Sequence, residues 1–95
     1  MFYLQPTIFT KEHLSSFEMK EAHEAGACRN LFRETYQHIT DDQPIRQSAE
    51  FHDISHLFDK ADQPYFIDFC HLGESGNELI AQRIFEDVSP LIQKP

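Results

Sequence analysis

In the stretch PYFIDFCHLGESGNELIAQRIFEDV, residues 64–88, an aspartate and a histidine stand three apart, at Asp68 and His71. A neutral imidazole takes a proton from a hydroxyl near pH 7, because its ordinary pKa is about 6.5. It does so better when a carboxylate holds its other nitrogen, fixing the tautomer and stabilising the imidazolium. In a tight turn, side chains three apart can meet, so Asp68-Phe69-Cys70-His71 permits that contact within one loop. Asp68 is therefore the candidate orienting acid and His71 the candidate general base. The bland reading is a turn aspartate beside a surface histidine, since Asp-x-x-His alone arises often by chance.

No nucleophile accompanies them. The six serines are Ser15, Ser16, Ser48, Ser55, Ser75 and Ser89, and the best placed read as helix caps. Cys70 lies between the two candidates, and a Cys–His couple is a known nucleophile arrangement. Adjacent residues in an extended segment point apart, however, and a cysteine is commonly a small buried residue. Asp53 is a weak candidate for orienting the site; a turn-capping role is the simpler one. His52 and His56 stand four apart, but the alternating pattern there suggests no helix; with no His-Glu-x-x-His and no second ligand pair at useful spacing, neither a metal nor any cofactor is expected. The glycines form no phosphate-binding loop.

The elements that must position these residues follow from local pattern. Residues 2–8 read as a strand that Pro6 interrupts. Ser15-Ser16-Phe17-Glu18 fits a capping box. A single amphipathic helix to about Thr40 is predicted from there, with Ala22, Ala25, Arg29, Phe32, Tyr36 and Ile39 on one face and Cys28 and Leu31 widening its apolar side. Asp41-Asp42-Gln43-Pro44 breaks it. Residues 51–55 alternate as a second short strand or an extended segment, and residues 59–64 are a polar loop. Residues 65–67 are a third apolar run, too short to classify. Ser75-Gly76-Asn77-Glu78 is a second capping-box candidate. It would open a helix with Ile80, Ala81, Ile84, Phe85 and Val88 inward, ended by Pro90, with Leu91 and Ile92 packing back. Strands separated by a helical crossover imply a parallel α/β layer.

Composition sets the outer bounds. The 95 residues suffice for one small domain, and nine Phe argue for a real core. A net charge of −8 repels phosphate backbones, so no nucleic-acid partner is expected. No apolar run approaches a membrane span, and MFYLQPTIF lacks the basic start of a signal peptide. Two lone cysteines make no disulfide framework, and the compartment stays open.

His71-Leu72-Gly73-Glu74-Ser75-Gly76-Asn77, followed by Leu79-Ile80-Ala81, resembles the last block of the SGNH (GDSL-type) ester hydrolases. Phe2-Tyr3-Leu4-Gln5-Pro6 is similar to that family's late core strand. The resemblance spans nearly the whole chain, but only residues 68–81 carry it specifically. It implies a partial three-layer α/β/α fold, flavodoxin-like, with a short parallel sheet and two main helices. It also implies acyl-ester hydrolysis of small-molecule, carbohydrate or lipid esters, with His71 as base and Asp68 as its orienting acid. The family's Gly-Asp-Ser and Gly-x-Asn-Asp blocks are missing. The expectation is therefore the C-terminal part of such a domain, inactive as this chain alone. A part of that kind would expose a sheet edge open to self-association. The alternative is a small acidic α/β domain that binds a protein partner without catalysis.

Overall fold

The computed structural model describes residues 1–59 and 63–92; the polar loop read over residues 59–64 lies partly outside them. Strand β1 (Phe2–Leu4) leads to α1 (Ser16–Glu24), a 3₁₀ turn (Gly26–Cys28), α2 (Arg29–Asp41) and the short α3 (Gln43–Arg46). Strand β2 (Phe51–Asp53) and the long α4 (Glu74–Ile92) follow. β1 and β2 pair in parallel with Phe2 opposite Phe51, Tyr3 opposite His52 and Leu4 opposite Asp53. The fold is thus mixed α/β, with a two-stranded sheet among the described residues. Both strands are shorter than their sequence patterns suggest. Pro6 is one cause, since it has no N–H to give a ladder.

The first capping box forms as the sequence predicts. Ser15 Oγ accepts from the Glu18 N–H at 3.2 Å, and Glu18 Oε1 accepts from the Ser15 N–H at 3.0 Å. The predicted single helix does not form. It breaks after Glu24 and restarts at Arg29, with Gly26 at the break, where helix propensity is lowest. Leu31 points to solvent, 66% exposed, and α2 has only half-buried apolar residues: Phe32, Tyr36 and Ile39. At Gly26 φ is not positive, and an added Cβ would meet nothing within 4 Å. Gly26→Ala is therefore expected to stabilise the chain by about 0.4–1 kcal/mol through the unfolded state, seen as a raised melting temperature.

The core gathers Ile8, Ala22, Phe58, Tyr65 and Phe66, with Phe9, Leu14, Leu57, Phe69, Leu72 and Ile80 packed around it. Phe58 stacks on Tyr65 at 4.6 Å and meets Phe66 edge-on at 5.8 Å. A fully buried ion pair lies beside these rings. Lys11 Nζ reaches Glu18 Oε1 at 2.5 Å, with both side chains shut off from solvent. The ammonium also donates to the Gln63 carbonyl at 2.6 Å and sits 5.4 Å from the Tyr65 ring centre. Glu18 spends its second oxygen on the Phe66 N–H at 3.1 Å. Burying charges is tolerable only with this degree of satisfaction.

Helix α4 departs from its expected face. It begins at Glu74, with the Gly73 carbonyl accepting from the Asn77 N–H at 3.1 Å, so Ser75 lies inside it and the second capping box does not form. Gly76 is buried: a Cβ there would stand 3.2 Å from the Tyr65 carbonyl and 3.1 Å from Leu72. That close approach sets the face as Gly76, Ile80, Ile84 and Val88, while Ala81 and Phe85 are exposed. Pro90 sits inside the last turn rather than ending the helix, and Leu91 and Ile92 remain exposed.

Candidate functional site

Residues 65–73 form a tight hairpin, the third apolar run being one of its legs. Phe66 and Leu72 make an antiparallel bridge, the Ile67 N–H donates to the His71 carbonyl at 2.9 Å, and the Gly73 N–H to the Tyr65 carbonyl at 2.9 Å. Three anchors hold it. Glu18 takes the Phe66 N–H, Ile8 donates its N–H to the Phe69 carbonyl at 3.0 Å, and the Phe69 ring meets Phe32 edge-on at 5.8 Å. Asp68 and His71 therefore stand on a backbone fixed by a buried carboxylate and an aromatic plug.

The structure brings the two candidates together. Asp68 Oδ1 accepts from the backbone N–H groups of His71 at 2.7 Å and Cys70 at 2.9 Å, and Oδ2 lies 2.7 Å from His71 Nδ1. Those two N–H groups, His71 first, hold the Asp68 carboxyl below its usual range, at about 2; the imidazole adds a smaller push in the same direction. Asp68 is thus an acceptor at neutral pH, which assigns the shared hydrogen to Nδ1 and leaves the lone pair on His71 Nε2. Nε2 is the atom a hydroxyl would approach. The His71 side chain is 73% exposed, and no described hydroxyl bonds its ring.

This gives a pH prediction. A carboxyl depressed in the fold contributes stability above its unfolded pKa, and loses it as pH falls through the folded value. Both Asp68 contacts should persist from neutral pH down to about 4, then weaken toward about 2. The Cys70 and His71 amide resonances would shift together over that window. A midpoint near 4 instead would show that the carboxylate is not held by these amides.

Cys70 does not point away from His71 as an extended segment would require. The segment is a turn, and Cys70 Sγ lies 3.6 Å from His71 Nδ1. Burial and the Asp68 charge push the thiol pKa up, so it is protonated at neutral pH and poorly suited to attack. Asp53 caps its own turn, accepting from the Ser55 N–H at 2.9 Å and the Ser55 hydroxyl at 2.5 Å. Ser55 is accordingly not aimed at His71.

Two arrangements escaped the sequence reading. His56 Nδ1 lies 2.8 Å from Asp59 Oδ2, a second histidine–aspartate pair three apart, in reverse order. Its carboxylate takes one backbone N–H, from Glu12 at 3.2 Å, against two closer ones for Asp68. The His-x-x-Asp spacing was visible in the sequence; the partner amide was not. Asp87 is the second hub: Tyr3 OH donates to its Oδ2 at 2.9 Å, Arg83 Nε lies at 3.4 Å, and His52 Nδ1 at 3.6 Å. It links α4 to both strands, while Tyr3 and His52 stack at 5.0 Å.

The dyad sits on open surface. A cleft of about 200 Å³ is lined by Phe9, Phe32, Tyr36 and His56, and an apolar groove of about 510 Å³ by Phe2, Leu4, Ile39, Ile45 and Phe51; neither includes Asp68 or His71. Among the described residues, no helix is long and apolar enough to cross a membrane. Compared with protein-family models, curated proteins and solved structures, the chain matches none.

Proposed function

We propose that this chain is the C-terminal portion of an SGNH-type serine ester hydrolase, with Asp68 orienting His71 as its general base. The observation that carries this reading is the carboxylate fixed by two backbone amides and bonded to Nδ1, which leaves Nε2 as the proton acceptor. A serine supplied by the remainder of the domain would give its proton to Nε2 as its oxygen attacks the ester carbonyl. His71 would then return that proton to the departing alkoxide, and water would release the acyl group by the same route. The fold reading is a partial three-layer α/β/α domain. Its support is that the Tyr3 hydroxyl reaches Asp87 of α4, while Phe2, Tyr3, Leu4 and Phe51 line a groove with Ile39 of α2 and Ile45 of α3. The substrates are small-molecule, carbohydrate or lipid esters.

The test starts from the DNA upstream of the Met1 codon. An open frame encoding Gly-Asp-Ser and Gly-x-Asn-Asp, with p-nitrophenyl acetate turnover from the joined protein and none from this chain alone, supports the proposal. A stop codon directly upstream, or a joined protein without turnover, overturns it.

A second reading is a non-catalytic docking domain. It is favoured by the apolar groove beside β1, by Phe2 at 67% exposure, and by strand edges without a strand partner among the described residues. Such a domain would be folded without esterase activity and would sediment as a complex.

A further inference from the structure

The dyad has a third neighbour that the hydrolase reading does not use. Asp68, Cys70 and His71 each offer one ligand atom, and these atoms lie within 4.8 Å of one another. Carboxylate, thiolate and imidazole together suit a borderline-soft divalent cation of the zinc type better than magnesium or calcium. One edge fits as it stands, and the others need sub-ångström to ångström shifts of one side chain. With metal–sulfur near 2.3 Å and metal–nitrogen near 2.0–2.1 Å, a tetrahedral sulfur-to-nitrogen edge is about 3.6 Å. Cys70 Sγ and His71 Nδ1 are 3.6 Å apart. The nitrogen-to-oxygen edge should be about 3.3 Å, so Asp68 Oδ2, now at 2.7 Å, must draw back by roughly 0.6 Å. The sulfur-to-oxygen edge should be about 3.6 Å against a separation of up to 4.8 Å, so Oδ2 swings toward the sulfur while Asp68 Oδ1 stays on its two amides.

We infer that Asp68 Oδ2, Cys70 Sγ and His71 Nδ1 form a three-ligand site for one zinc-class cation, with water completing the tetrahedron. On binding, the Cys70 thiol gives its proton to solvent and the sulfur binds as thiolate. The imidazole hydrogen moves from Nδ1 to Nε2, because Nδ1 now donates its lone pair to the metal. Metal and the Asp68–His71 hydrogen bond are mutually exclusive, and the metal-bound form has no lone pair at Nε2. The binding site stands on its own geometry. Its consequence, that zinc silences the base, rests on the proposed hydrolase role.

Co²⁺ titration of the purified chain tests the binding without any esterase assay. The expected result is a thiolate-to-cobalt charge-transfer band that saturates at one equivalent and is displaced by Zn²⁺. Cys70→Ser should abolish the band, His71→Ala should weaken binding at least tenfold, and Cys28→Ser should leave it unchanged. Far-UV circular dichroism confirms that each variant is folded. No band in the wild-type chain, a band surviving Cys70→Ser, or saturation at half an equivalent through two chains' thiols would overturn the inference.

Discussion

Glu18→Ala is expected to cost about 3–5 kcal/mol of folding stability, a large share of the total. A domain of this size has a total of about 5–14 kcal/mol at ~0.05–0.15 kcal/mol per residue. Breaking a buried ion pair by deleting one partner costs about 3–5 kcal/mol, because the other charge is stranded out of water. Here Lys11 would keep only the Gln63 carbonyl and the Tyr65 ring, and the amides of Ser15 and Phe66 would lose their acceptor. Urea denaturation followed by circular dichroism reads the loss. The double variant Lys11→Met, Glu18→Gln should be more stable than Glu18→Ala, since no buried charge is left alone. A loss under about 1 kcal/mol for Glu18→Ala would mean that water reaches Lys11.

The second large effect concerns turnover in the joined protein. His71→Ala should lower kcat on p-nitrophenyl acetate by about 10³–10⁴-fold, the scale of removing a base and its later acid role. Asp68→Asn should cost about 10²–10⁴-fold, because the amide keeps the turn but presents N–H to Nδ1 and so selects the wrong tautomer. His56→Ala provides the internal control. Its pair with Asp59 resembles the dyad in distance but has no part in the proposed reaction, so kcat should stay within about twofold. Near-normal turnover in a folded His71→Ala variant would remove His71 from the mechanism.

What the sequence disclosed was what neighbours in the chain decide. The Ser15 capping box and the Asp68–His71 contact both lie within four residues, and both formed as read. Parallel pairing of the strands followed from the helical crossover between them. The remainder depended on remote partners. Nothing near Glu18 announces that its carboxylate also serves Phe66, 48 residues on, or that Lys11 is its counter-ion. The α4 face departs from the apolar pattern because Gly76, a cap residue by pattern alone, is where the helix closes on the Tyr65 carbonyl. The Cys70–His71 approach depends on the segment being a turn rather than extended chain, which the residue pattern alone does not dictate.

The double duty of Glu18 also bears on the order of folding. Its bond to the Ser15 amide closes a loop of three residues, whereas its bond to the Phe66 amide closes one of 48. Short loops close first, since the entropy of closure must be met before distant contacts repay it. The first turn of α1 therefore sets before the hairpin carrying Asp68 and His71 docks on it. A folding transition state with the first turn of α1 formed and residues 65–73 not yet docked on it follows. Substitutions at Ser15 should slow folding, and substitutions at the docking contacts Phe66 and Phe69 should chiefly hasten unfolding.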